Sequence, residues 1–256
     1  MFHFEEGEVF LIDKPLDWTS FDAVNLIRAV IKRYHGIRKI KVGHAGTLDP
    51  LATGLLVICT GRMTKKIDHF QAQEKVYTGT LLLGQTTPTF DMESEPDAFY
   101  PTDGITIEMM EEARKKFIGD IMQRPPKFSA IKIDGKRAFD YARSDEEIAL
   151  KERLVHIEDF KLDYTEFPKI NFEVKCSKGT YIRSLANDFG KELGNGACLI
   201  SLRRTKIGDF SVENARDLFE LKKQIKETGT EYREEVNSQD DETASQQGNK
   251  TPRYIR

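Results

Sequence analysis

The chain lacks the features of a membrane or secreted protein. Its 256 residues contain no run of eighteen apolar residues, and its first ten, MFHFEEGEVF, do not show the basic-then-apolar order of a signal peptide. Cysteine is scarce, and its odd number and wide spacing exclude a disulfide framework and give no zinc-ligand pair; the three residues are Cys59, Cys176 and Cys198. We therefore expect a cytoplasmic protein with reduced, buried thiols.

A basic excess is also missing. The formal net charge is −3, which argues against a nucleic-acid partner, because phosphate binding needs a positive surface. The charge is unevenly distributed, however, and two cationic clusters stand out: Lys32, Arg33, Arg38, Lys39 and Lys41, and then Arg203, Arg204 and Lys206. Such runs are most often a solvated face, so charge alone leaves both interpretations open.

Residues 42–61, VGHAGTLDPLATGLLVICTG, have the most specific pattern in the chain. Glycines and Pro50 shape the loop around Asp49, and the apolar run that follows predicts a buried strand. Asp49 is therefore an acid on a rigid support. An isolated Asp-Pro pair is most often an ordinary turn, and His44 alone is most often a hydrogen-bonded loop histidine.

Other segments predict the elements around this loop. Thr19 or Ser20 can cap a helix that follows the Lys14-Pro15 turn. Tyr77 lies on the mostly apolar side of a predicted strand, where a tyrosine is most often a core residue. Arg183 falls in the first turn of a predicted helix, where the helix dipole is unfavourable for a cation, so a compensating acid is expected nearby.

The order of elements predicts an α+β fold. Short turns join many of the strands, including a strictly alternating strand at 170–178, so we expect a mixed, largely antiparallel central sheet flanked by helices. Residues 1–225 would form one folded domain, and its basic, aromatic-bearing segment at about 123–152 could act as an RNA clamp. Residues 226–256 are polar, without apolar periodicity, and predict a disordered tail.

The string GHAGTLDPLATGLL resembles the nucleophile loop of the TruB family of tRNA pseudouridine-55 synthases. Later segments are similar to further family motifs: KVYTGT, TTPTFD, SAIKIDGKRAFDYAR, KGTYIRSL and GACLISLRRTKIGDF. The resemblance covers nearly everything before residue 226. It implies a pseudouridine synthase-like domain that acts on the T-arm of tRNA without metal or cofactor, and we expect a monomer. Many family members continue into an RNA-binding PUA-like domain, which we do not expect here.

The resemblance also implies roles for single residues. Asp49 would be the nucleophile, Arg183 its partner, and Tyr77 the ring that stacks on the target uracil and helps to move a proton. The implied substrate-binding residues are His44, Tyr181, Leu202, Lys14 and Asp91, with Asp91 meeting the site from the side. The RNA-backbone residues would be Lys39, Lys41, Lys136, Arg137, Arg203 and Arg204. The family pattern has glycine at the position of Asp17.

The expected reaction moves the uracil from an N1 to a C5 bond with the ribose, so it conserves every atom and needs no redox cofactor. A carboxylate can add at C1′ of the sugar or at C6 of the base, and both routes stay open. Extruding the nucleotide from its stack is unfavourable, and the rings of His44 and Tyr77 would offset that. Three alternatives remain: a synthase for another RNA, a tRNA-folding chaperone, and a glycosidase-like reaction with Asp49 and Asp91 as paired carboxylates.

Overall fold

A computed structural model describes residues 1–129, 132–133, 136–137 and 150–229. The strands in these ranges are β1 (Val9–Lys14), β2 (Val42–His44), β3 (Ala52–Thr60), β4 (Lys75–Leu83), β5 (Gln85–Thr86), β6 (Ala98–Phe99), β7 (Gly119–Gln123), β8 (Lys132–Ile133), β9 (Lys136–Arg137), β10 (Arg153–Glu166), β11 (Lys169–Cys176), β12 (Ala197–Ile207), β13 (Phe210–Ser211) and β14 (Arg216–Asp217). The helices are α1 (Ser20–His35), α2 (Ile67–Ala72), α3 (Ile107–Lys115), α4 (Ile182–Glu192) and α5 (Leu218–Glu227), with short 3-10 turns at Gly61–Lys66 and Val212–Asn214.

Ten of the strands form one mixed sheet. Its central path runs β14-β1-β3-β12-β4-β11-β10-β7, while β2 pairs with β3 and β13 with β12. Within the described part of this sheet, only the β1–β14 and β3–β12 pairs are parallel. The predicted α+β class with a mixed, largely antiparallel sheet is confirmed.

Side-chain alternation gives the central strands one apolar and one polar face. Tyr77 of β4 is opposite Val174 of β11, and this face is covered by the apolar stripe of α4. Thr78 is opposite Glu173 on the other face, which carries ion pairs such as Lys161–Glu173. A second core packs α1 and α5 against β1 and β3. The apolar face therefore packs against α1, α4 and α5, and α4 brings Arg183 to the sheet.

The predicted end of the catalytic body at residue 225 falls inside α5. This helix begins at an Asp217 cap, buries Leu218, Leu221 and Ile225, and runs to Glu227. Its apolar spacing is hard to see in the sequence because the segment is otherwise strongly charged. The remainder of the predicted tail, residues 230–256, lies outside the described residues.

The predicted RNA-clamping insertion is described only in part. Lys132 pairs with Arg137 and Ile133 with Lys136 in an antiparallel hairpin, as the sequence predicts. The turn at 134–135, the helix expected beyond the hairpin, and the side chains of Lys136 and Arg137 lie outside the described part of the chain.

Two further expectations concern the thiols and the membrane. All three cysteines are free and buried, as predicted. In the ranges that the structure describes, no helix has the length and hydropathy required to cross a bilayer.

Candidate active site

A cleft of about 720 Å³ brings together residues that lie far apart in the chain. Its wall includes six of the predicted site residues: Asp49, Tyr77, Tyr181, Arg183, Leu202 and Arg204. They come from the β2–β3 loop, from β4, from the start of α4 and from β12. The cleft therefore gathers an acid, a guanidinium and two phenol rings around one space.

Arg183 is the centre of the polar network in this cleft. Its Nε lies 2.9 Å from Oδ2 of Asp49 and 3.5 Å from Oδ2 of Asp91. Its other two nitrogens donate to the carbonyl oxygens of Thr89, at 3.1 Å, and Phe128, at 2.9 Å. The guanidinium therefore contacts Asp49 through a single nitrogen, and the other nitrogens fix its plane.

The environment of Asp49 acts on its charge in opposite directions. About 38% of its side-chain surface is exposed, but that surface opens into the cleft. Burial raises the pKa of Asp49 above its ordinary value, and the neighbouring Arg183 opposes this rise. The negative charge of Asp91 adds to the rise. Arg183 therefore does two things for Asp49: it favours the ionised form and it orients the carboxylate.

The two phenol rings of the cleft are held in different ways. Tyr77 is buried in β4, and this burial raises the pKa of its hydroxyl, so the phenol stays protonated at neutral pH. Tyr181 precedes α4, and the Gln123 side chain fixes its backbone by accepting from its N–H at 2.7 Å and donating to its carbonyl at 3.1 Å. No sequence signal indicates this role for Gln123, because it depends on the pairing of β7 with β10.

Asp91 and His44 do not line the cleft. Asp91 is buried behind Arg183, and its Oδ1 accepts from the N–H of Glu93. Its carboxylate therefore supports the Arg183 guanidinium, in place of the substrate contact that was expected of it. The glycosidase-like alternative needs Asp91 as a second carboxylate in the cleft, and Asp91 does not line it. His44 is half-buried on β2, and its base-stacking role stays a prediction.

Lys14 is the first correction, because a substrate contact was expected from it. The residue is fully buried, and its ammonium group donates to the carbonyl oxygens of Pro15, Trp18 and Pro50. Burial lowers its pKa to about 8, against the attraction of Asp49. Lys14 therefore packs beside the Asp49 loop and has no surface left for a substrate.

Arg203 and Arg204 are the second correction, because Arg203 does not line the cleft and Arg204 is buried in its wall. Arg203 lies on the opposite face of the sheet and forms a two-pronged pair with Asp13, at 3.0 and 2.6 Å. Arg204 is 1% exposed. It donates to the carbonyl oxygens of Leu55, at 2.8 Å, and Gly46, at 3.0 Å. Arg204 therefore ties the Asp49 loop to the strand that follows it.

The tie between β3 and β12 requires glycine at position 54. Gly54 pairs with Arg204 and has φ +99, a conformation that favours glycine. A Cβ there would lie 2.3 Å from the Arg204 carbonyl oxygen. The sequence predicts that this glycine shapes the loop, and the structure shows that it also permits the parallel pairing of β3 with β12 behind the Asp49 loop.

The remaining RNA-backbone candidates differ in accessibility. Lys39 and Lys41 are exposed, and no carboxylate among the described residues lies within ion-pair distance of either. The structure adds two cations that the sequence did not single out, Arg153 and Lys178, both exposed and lining the cleft. Their positions on β10 and after β11 carry no signal until the strands are paired.

Lys75 is a further cleft residue without a predicted role. Its ammonium group donates to the carbonyl oxygens of Gln71 and Gln73 at the end of α2, and burial lowers its pKa to about 8. It therefore fixes the end of the helix that forms one rim of the cleft. Across the described ranges, no group of three His, Cys, Asp or Glu side chains is arranged to hold a metal ion.

Comparison with known families agrees with this arrangement of residues. A model of the TruB family pseudouridylate synthase N-terminal domain matches residues 32–182, more than half of the chain. The chain belongs to the TruB family. A second model, of the tRNA pseudouridylate synthase B C-terminal domain, matches residues 183–239. The family motifs that the sequence resembles thus lie within matched segments or next to them.

Curated relatives in the TruB family match over most of their length. A protein of Phocaeicola vulgatus named tRNA pseudouridine synthase B is 56% identical over 212 residues, covering 83% of this chain and 90% of the relative. A protein of Parabacteroides distasonis with the same name is 55% identical over 210 residues, covering 82% and 89%.

Solved structures agree with the TruB fold. A chain of a Cbf5-Nop10-Gar1 complex matches with a TM-score of 0.65 and 27% identity, covering 86% of this chain and 55% of that chain. A chain of an H/ACA RNP bound to a substrate RNA containing 2′-deoxyuridine matches with a TM-score of 0.62 and 25% identity, covering 86% and 54%. This chain therefore spans about half the length of these neighbours, and the likeness concerns the catalytic fold.

Proposed function

We propose that this chain isomerises uridine to pseudouridine at position 55 in the T-loop of tRNA, in the cytoplasm. One observation carries the proposal: the Asp49 carboxylate contacts the Arg183 guanidinium at 2.9 Å in a cleft that Tyr77 and Tyr181 also line. Relatives at 55% and 56% identity bear the name tRNA pseudouridine synthase B. The substrate position follows from the resemblance of the motifs to the pseudouridine-55 family.

Asp49 would act as the nucleophile. A carboxylate attacks only when ionised, and Arg183 favours that form against the effect of burial. Addition of one Asp49 oxygen to C1′ or C6 would allow the N1–C1′ bond to break. The uracil would then turn so that C5 faces C1′, a C5–C1′ bond would form, and the bond to Asp49 would break. The C5 proton would leave, and N1 would take up a proton. No atom is gained or lost overall, so the chemistry needs no second substrate.

The target nucleotide must leave its stack to reach Asp49. Turning the nucleotide out of its stack is unfavourable by roughly 2–4 kcal/mol, and stacking of the base on an aromatic ring contributes about 1–3 kcal/mol of stabilisation. Tyr77 and Tyr181 offer such rings, while Leu202 offers an apolar surface. The raised pKa of Tyr77 keeps it neutral, so its ring can stack on the base without adding a second negative charge beside Asp49.

Unpaired cations favour binding of RNA on the cleft side of the sheet. Arg153 and Lys178 line the cleft, and no carboxylate in the described ranges pairs with them. Cations on the polar face of the sheet are neutralised instead, as in Lys161–Glu173 at 2.9 Å and Lys175–Glu158 at 2.7 Å. This contrast explains how a chain of net charge −3 can attract a polyanion to one face.

The test is release of label from a T-arm RNA labelled at C5 of its uridines. Wild-type protein should release label at the position equivalent to 55, and Asp49→Asn should bind the RNA with unchanged affinity and release none. Label release by Asp49→Asn would refute the nucleophile assignment. An Asp188→Asn variant is the matched control, because Asp188 is a partly buried carboxylate on α4 that does not line the cleft.

The alternatives predict other outcomes of the same assay. A synthase for another RNA would leave the T-arm unmodified and release label from a different transcript. If the protein were a folding chaperone, the wild-type protein and the Asp49→Asn variant would improve tRNA folding equally well. Mapping pseudouridine in cellular RNA after deletion of the gene would identify the substrate directly.

A further inference from the structure

The turn before α1 and the first residue of that helix hold the loop on both sides of Asp49. On the C-terminal side, Lys14 Nζ and the main-chain N–H of Asp17 donate to the carbonyl oxygen of Pro50, at 3.3 and 3.0 Å. On the N-terminal side, the Ser20 hydroxyl donates to the carbonyl oxygen of Leu48 at 3.2 Å and accepts from its N–H at 2.8 Å. The two neighbours of Asp49 in the chain are therefore both fixed.

Ser20 is not required as the cap of α1. Thr19 is the cap, because its side chain accepts from the N–H of Asp22 at 3.0 Å while the Asp22 carboxylate accepts from the N–H of Thr19 at 3.0 Å. Ser20 is 1% exposed, and its hydroxyl forms hydrogen bonds to both main-chain groups of Leu48. Two adjacent hydroxyls thus have separate tasks: one begins the helix, and the other attaches the nucleophile loop to it.

We propose that Ser20 is a positioning residue that sets the direction of the Asp49 carboxylate. The proposal rests on the proposed function, because it gives Ser20 a part in the same reaction. Leu48 is 3% exposed, so loss of the hydroxyl would leave its N–H and carbonyl buried without partners. Burying a main-chain N–H or carbonyl without a hydrogen-bond partner is strongly unfavourable, so the loop would move until both groups found partners. A displacement of about 1 Å at a reacting group lowers a rate by about 100-fold.

Thr60 supplies a matched control for this hydroxyl. It is fully buried at the far end of β3, accepts from the N–H of Glu8 at 3.0 Å and donates to the carbonyl oxygen of Phe4 at 2.9 Å. Removing its hydroxyl takes away the same kinds of bond without touching the residues beside Asp49. Ser20→Ala and Thr60→Val should therefore lower thermal stability alike but differ in their effect on turnover.

We expect Ser20→Ala to lower kcat by about 10- to 100-fold while its Kd for T-arm RNA stays within about threefold of wild type. Thr60→Val should keep kcat within about threefold, and Ser20→Thr, which retains a hydroxyl, should recover part of the lost rate. An unchanged kcat in Ser20→Ala would overturn the proposal, as would an equal loss of kcat in Thr60→Val. If Ser20→Ala does not fold, Ser20→Gly replaces it, because glycine also lacks the hydroxyl but leaves room for a water molecule, and a wild-type kcat there would have the same meaning.

Amide hydrogen exchange gives a second measurement that needs no substrate. Peptides that contain Leu48 should exchange faster in Ser20→Ala than in wild type or Thr60→Val, because the Leu48 N–H loses its acceptor. Unchanged exchange would contradict the positioning role. If wild-type protein made no pseudouridine, the proposed function would fail, and the exchange data would still show whether Ser20 fixes the loop.

Discussion

Arg183 and Asp49 meet through one guanidinium nitrogen, Nε, at 2.9 Å from Oδ2. Arginine often binds a carboxylate through two nitrogens at once. The other two nitrogens instead donate to the carbonyls of Thr89 and Phe128. Arg183 is therefore an orienting group that is itself oriented by the backbone around it.

Arg183→Lys should lower turnover much more than RNA affinity. A lysine keeps the charge but cannot reach Asp49 and both carbonyls together, so we expect kcat to fall by about 100- to 1,000-fold, similar to the loss of one oriented donor at an active site. Arg114→Lys is the control, because Arg114 also joins a carboxylate, Glu111, to a carbonyl, that of Phe160, away from the cleft. A loss confined to Kd would contradict the orienting role.

The acidic limb of the pH–rate profile should move in opposite directions in two variants. The rate falls as the pH drops through the pKa of Asp49, because the protonated acid does not attack. Arg183 lowers that pKa and Asp91 raises it. Arg183→Gln should therefore shift the limb to higher pH, and Asp91→Asn should shift it to lower pH. Single-turnover rates from about pH 4 to about pH 8 measure both, and shifts of the same sign would be inconsistent with the network.

Asp17 occupies a backbone conformation that suits glycine. Its φ is 63, and the family pattern has glycine at this position. Relative to wild type, we expect Asp17→Gly to be equal or more stable by up to about 1 kcal/mol, and Asp17→Ala to be less stable by about 1 kcal/mol. Urea unfolding measures the order. Asp103→Gly is the control: the residue lies at an exposed loop position without a positive φ, so the variant should be no more stable than wild type. Equal stabilities of Asp17→Gly and Asp17→Ala would refute the view that the positive φ of Asp17 favours glycine.

Arg203 and Arg204 should respond differently to substitution although they are adjacent. Arg203→Ala removes a partly exposed ion pair with Asp13 and should change stability by about 0–1 kcal/mol, with no change in RNA affinity. Arg204→Met leaves the carbonyls of Leu55 and Gly46 without their donor. At about 1–3 kcal/mol for each buried carbonyl, we expect a loss of about 2–6 kcal/mol. If chemical unfolding showed a larger loss of stability in Arg203→Ala than in Arg204→Met, the faces of β12 assigned to the two side chains would be wrong.

Lys39 and Lys41 should contribute to RNA binding through charge. Replacing both with alanine should weaken T-arm binding and reduce the slope of log K against log salt by about 0.7–0.9 for each phosphate that a lysine no longer neutralises. The control is Lys161→Ala with Lys175→Ala, two lysines that are neutralised on the polar face of the sheet. Equal effects in the two pairs would mean that RNA does not follow the unpaired cations.

Much of the candidate active site is predictable because its signals are local. Asp49 stands out through the glycines, the proline and the apolar strand around it, and the position of Arg183 in the first turn of a helix calls for a nearby acid. Both predictions concern neighbours within a few residues, where backbone preferences act directly. The alternating strand at 170–178 is equally clear, since its period of two is visible without any partner.

The sequence by itself thus determined the fold class, the family resemblance and the acid–guanidinium pair. The tertiary structure alone decided the roles of Lys14, Arg204 and Ser20, each of which is buried by contacts with residues distant in the chain. Alternation shows that Arg203 and Arg204 point to opposite sides, but it does not say which side holds the cleft. That choice depends on the pairing of β12 with β3 and β4, and long-range register is set by the packing of the whole sheet.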